Sequence, residues 1–106
     1  MKIIQGSNNP IVVNFDRDIS QCSKVEVGLY HPKPHTEQTL KEWHKDDITF
    51  YENEAYIELP LTQKETMAFP IGRVSLEIKA LDTDGQVVTF DVLVGTVESR
   101  SNEVEM

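Results

Sequence analysis

The stretch Leu59–Phe69, "LPLTQKETMAF", reads as a helix in a chain whose other segments read as strands. Thr62 and Glu65 match the capping box Ser/Thr-x-x-Glu. The Thr62 hydroxyl can accept from the Glu65 amide, and the Glu65 carboxylate can reach back to the Thr62 amide. Pro60 and Pro70 fence the segment, and Gly72 allows a sharp exit. The helix therefore runs for two turns at most, from Gln63 to Phe69, with Met67 and Phe69 as its expected anchors in the core. A short helix between two long strands suits a β-sandwich. The chain must leave one sheet and enter the facing one about 10 Å away. A capped turn crosses that gap with its own backbone groups satisfied.

The flanks alternate with period two. In "KVEVGLY", residues 24–30, Val25, Val27 and Leu29 point one way and Glu26, Gly28 and Tyr30 the other. In "RVSLEIKAL", residues 73–81, Val74, Leu76, Ile78 and Ala80 point inward. "VVTFDVLVGTV" is the last long strand, where Val88, Phe90, Val92 and Val94 keep one parity. "DTDGQ", residues 82–86, is a turn, with Asp-Gly supplying the positive-φ position.

Shorter strands complete the pattern. "KIIQ" near the start reads as an edge strand, broken by "GSNNP"; "IVVNF", residues 11–15, reads as a buried one. "ITFY" and "AYIEL" flank "ENE" as a hairpin. "TLKEW" holds Leu40 and Trp43 at different parity, so a strict strand cannot bury both; a bulge or a partly exposed Trp43 resolves this. About eight short strands with regular turn signals argue for an all-β, immunoglobulin-like antiparallel sandwich. "AYIEL" and "RVSLEIKAL" then stand as its fifth and sixth strands. The domain spans residues 1–97, and "ESRSNEVEM" is a polar, acidic tail.

The bulk numbers bound the function. A chain of 106 residues is the size of one domain. With 10 Lys plus Arg against 18 Asp plus Glu, the net charge is −8, which repels nucleic-acid phosphates and anionic lipid. Cys22 is the sole cysteine, so no intrachain disulfide can form. The first residues carry no long apolar run, so neither a signal peptide nor membrane insertion is expected.

"IIQGSNNPIVVNF", "YIELPLTQKETMAF" and "LEIKALDTDGQVVTFDVLVGTV" together resemble small prophage-encoded structural proteins of Gram-positive bacteria. Those carry a Q-G-x-x-x-P opening, an L-T-Q-E-E-T-like turn and a final D-G hairpin. The arrangement is also similar to the N-terminal domain of phage baseplate upper proteins, a β-sandwich. The resemblance covers roughly residues 3–97 and departs at "YHPKPHTEQ", which is longer and richer in proline. It implies a virion location after synthesis in the host cytoplasm. It implies a tail or baseplate role through docking to other virion proteins or to copies of itself. It implies no enzyme chemistry; no cofactor is expected, and the net charge argues against a nucleic-acid partner.

Few of the other side chains fall in a pattern that chemistry would require. His31, His35 and His44, with Asp46 and Asp47, lack the spacing of a zinc site. Glu52, Glu54, Asp82 and Asp84 sit at expected loop tips, and "DTDGQ" is a fragment of a calcium loop. No nucleophile motif surrounds Cys22. Tyr30, His31, His35 and Trp43 flank the variable loop and are the expected partner contacts, which also admits a carbohydrate or host-surface module.

Overall fold

The computed structural model describes residues 1–15, 19, 21–32, 37–51 and 56–99. Eight strands form two sheets. They are β1 (Lys2–Ile4), β2 (Ile11–Asn14), β3 (Lys24–Pro32), β4 (Glu37–His44), β5 (Thr49–Phe50), β6 (Tyr56–Leu59), β7 (Gly72–Leu81) and β8 (Val87–Glu98). A five-stranded sheet runs β1-β8-β7-β3-β4 and a three-stranded sheet runs β2-β6-β5. All pairings are antiparallel except β1 with β8. This is an all-β sandwich of the immunoglobulin-like kind, with a fourth antiparallel strand added to one sheet. The crossover strands are therefore the sixth and seventh in the chain.

The core lies between the sheets. Its centre is the inward alternation of β3 and β7: Val25, Leu29, Val74, Leu76, Ile78 and Ala80 are wholly buried. Ile57 and Leu59 of β6 and Ile11 and Val13 of β2 face them from the smaller sheet. Burying each such side chain is worth roughly 1.5–3 kcal/mol, before the entropy of ordering it.

Helix α1 (Gln63–Ala68) carries the chain from β6 to β7. The capping box is complete: the Glu65 amide donates to Thr62 Oγ1 at 3.1 Å and the Thr62 amide donates to Glu65 Oε1 at 2.9 Å. Gly72 exits at φ 133°, where a side chain would be strained. Phe69 anchors the segment in the core, but Met67 is 57% exposed and does not. Its place is taken by Thr66, which is fully buried. Thr66 lies on the inner face of the helix, Phe69 follows as its extended C-cap, and Met67 turns to solvent.

The parity conflict in β4 is settled by a bulge. Leu29 pairs with Lys41 and Tyr30 with Thr39, which leaves Leu40 unpaired. The extra residue lets Leu40 pack against the core while Trp43 is buried at 1% exposure. A second bulge in the β7–β8 ladder leaves Val88 unpaired between Val87 and Thr89. The Asp82 turn joins β7 and β8, and Asp82 Oδ1 accepts from the amides of Asp84 and Gln86, each at 2.9 Å. That oxygen is used in making the turn. The "ENE" hairpin tip and the tail from residue 100 lie outside the described residues.

Candidate docking surface

The outer face of the five-stranded sheet is set by register. Ser75, Glu77 and Lys79 alternate with buried Val74, Leu76 and Ile78, and they pair with Val94, Val92 and Phe90. The parity shared by Phe90, Val92 and Val94 therefore points away from the core. Phe90 is 57% exposed and Val94 is 62% exposed. Val88 departs from this parity because the bulge turns it to the core side. The result is a short apolar stripe along β8, which is uncommon for a half-wet antiparallel sheet.

Beside the stripe lies an open groove of about 230 Å³, walled by Glu26, Gly28, Tyr30, Glu42, Glu77 and Phe90. Tyr30 folds back across Gly28, where an added Cβ would come within 2.4 Å of Tyr30 Oη. Gly28 thus allows the ring to lie flat on the sheet. The groove's other lining includes Lys79 and His44, so charges of both kinds face it beside the Tyr30 and Phe90 rings.

The backbone of β8 is also open. Its only described partner on the side away from β7 is β1, which pairs with Thr96–Glu98. The Thr96 amide donates to the Met1 carbonyl across that edge. Backbone groups alternate sides with period two, so the N–H and C=O of Phe90, Val92 and Val94 point to the same side as those of Thr96. Among the described residues no strand pairs with them there.

Of the expected contact residues, the structure brings together fewer than the sequence suggested. Tyr30 is on the outer face. His31 lies at the end of β3 with Nδ1 3.1 Å from the Arg73 carbonyl. His35 lies outside the described residues. Trp43 is a correction: it points into the sandwich, and its indole N–H donates to the Pro60 carbonyl at 2.9 Å. Burial excludes it as a surface anchor. A metal shared by His31 and His44 is also ruled out by distance. His44 pairs with Glu26, five residues along β3 from His31, or roughly 17 Å at strand spacing. Among the described residues no three His, Cys, Asp or Glu side chains converge. Cys22 is buried and in no disulfide.

One charged contact is built with care. Glu65 of α1 meets Lys41 of β4, and the Lys41 ammonium also lies 5.5 Å from the Trp43 ring centre. Partial burial pushes the Glu65 carboxyl up, but hydrogen bonds from Lys41 and from Thr62 outweigh it and hold the group below its ordinary 4.5. This cluster fastens the crossover to the sheet; it is remote in role from the β8 stripe. The stripe itself was missed from the sequence because alternation gives parity and not which side is wet. Among the described residues no helix is long and apolar enough to cross a membrane. No protein-family model matches this chain, and no curated protein matches it in sequence.

Proposed function

We propose that this chain is a non-enzymatic structural or assembly protein of a phage or prophage particle, acting in the tail or baseplate by docking to other proteins. The observation that carries the docking part is the exposed apolar stripe at Phe90, Val92 and Val94 beside an unpaired strand edge. Soluble domains normally cover or charge such an edge, because it pairs readily with another chain. The particle part rests on the resemblance of the capped crossover, the opening turn and the final hairpin to small prophage structural proteins. The acidic surface favours selective over nonspecific contact. The alternative of a sugar-binding module loses Trp43, its one large aromatic platform, to the core.

The test is composition. Particles purified from an induced host are expected to contain the chain by mass spectrometry, and its gene is expected among tail genes. Absence from particles, with unrelated neighbouring genes, overturns the particle reading.

A further inference from the structure

The free edge of β8 has two defined ends. The bulge at Val88 closes one, so regular pairing starts at Thr89. The other is closed by β1, which takes the edge from Thr96 onward. Met1 packs against Gly95 at that end, so the outward backbone groups left between the two ends are those of Phe90, Val92 and Val94, with Val92 at their midpoint. We infer that this edge pairs antiparallel with the same edge of a second copy, about a two-fold axis at Val92, joining two five-stranded sheets into one. This deepens the docking reading and rests on it.

The occupant follows from the sequence of the run. An axis at Val92 sets Val92 opposite Val92, Phe90 opposite Val94, Asp91 opposite Leu93 and Thr89 opposite Gly95. Every outward pair is then apolar. Phe90, Val92 and Val94 are also the residues whose N–H and C=O point outward, so each of these pairs is hydrogen-bonded. Shifting the axis to Asp91 would place two carboxylates face to face, which is unfavourable. Shifting it to Leu93 would draw Phe90, a regular ladder residue, onto Thr96, where β1 already lies. With the axis at Val92 only the bulged Val88 and the residues before it meet β1, so the ladder is confined to Phe90, Val92 and Val94 and each strand turns aside at its bulge. Such a contact is isologous and closes at two subunits. The remaining described edges are defended: β4 has its bulge and carries Lys41, Glu42 and His44, while β1, β2 and β5 are short.

The experiment is sedimentation and light scattering of the full chain over a concentration series, with three variants. Wild type is expected to form dimers and no larger species. Val92→Pro removes an outward N–H that the β7 ladder does not use, and should weaken the dimer about tenfold or more. Val92→Lys should do the same, and serves if the proline variant fails to fold by circular dichroism. Val92→Cys should cross-link to itself under mild oxidation, whereas Asp91→Cys should not. Added salt should tighten the dimer, because two copies of net charge −8 repel. A wild type that stays monomeric at every concentration overturns self-pairing. Docking to other particle proteins is read separately, from particle composition. A dimer indifferent to both Val92 variants, or one that salt dissociates, overturns the edge geometry.

Discussion

The crossover around α1 and the free edge of β8 lie in one small sandwich and are finished in opposite ways. At the crossover polar groups are met by side chains drawn from several elements. Thr66 Oγ1 donates to the Ser7 carbonyl at 2.7 Å and accepts from the Gly6 amide at 3.0 Å. Gln5 Nε2 donates to the Phe69 carbonyl at 2.8 Å, and Trp43 holds the Pro60 carbonyl. Among the described residues nothing pairs with the β8 edge beside its exposed valines and phenylalanine. The lesson is that stability and interaction have been assigned to different residues, so they can be broken separately.

The largest expected effect is at the crossover. Trp43→Ala should cost about 3–5 kcal/mol through the cavity and the lost partner of Pro60; denaturant midpoints measure it. Thr66→Val keeps the shape but strands the Gly6 amide, with an expected loss of about 1–3 kcal/mol. Thr62→Ala removes one side of the capping box and should cost about 1 kcal/mol. An unchanged midpoint would show that the cap contributes nothing. Glu65→Gln keeps the box and removes the charge. Because the folded-state pKa of Glu65 is lowered, its charge stabilises the fold above about pH 4.5 and that contribution fades as pH falls through the folded value. The stability gap between wild type and Glu65→Gln should therefore narrow on acidification below about pH 4.5; a constant gap would sink the Lys41–Glu65 account. At the free edge, Val92→Lys should change the stability of the monomer, measured at concentrations below dimer formation, by less than about 0.5 kcal/mol. A large loss there would erase the contrast between the two regions.

Much of the fold was legible because β3 and β7 alternate without a fault, and because Thr62 and Glu65 spell a cap at a fixed spacing. The conflict of parity between Leu40 and Trp43 announced the β4 bulge. Met67 misled for a physical reason: hydropathy favours a methionine over a threonine for burial, but Thr66 is the residue with the hydroxyl the Gly6–Ser7 turn requires. No local signal pairs residues that far apart. The β8 stripe was hidden for a different reason. Val88, Phe90, Val92 and Val94 look like a core-facing set, and only the register against Ser75, Glu77 and Lys79 turns three of them outward. Trp43 was expected at the surface but lies inside, where its indole N–H meets the Pro60 carbonyl.

Thr66 also bears on how the chain folds. Its bond to the Gly6 amide joins residues 60 apart in sequence, and the parallel β1–β8 ladder spans almost the whole described chain. Contacts of such separation form only after the intervening loops have closed, at an entropic cost. The N-terminal strand and its hydroxyl latch should therefore assemble on the downhill side of the folding barrier. Thr66→Val should raise the unfolding limb of a chevron plot at unchanged slope and leave the refolding limb nearly unmoved. In kinetic terms the buried threonine is a lock that sets how long the folded protein lasts, and contributes little to how quickly it arrives.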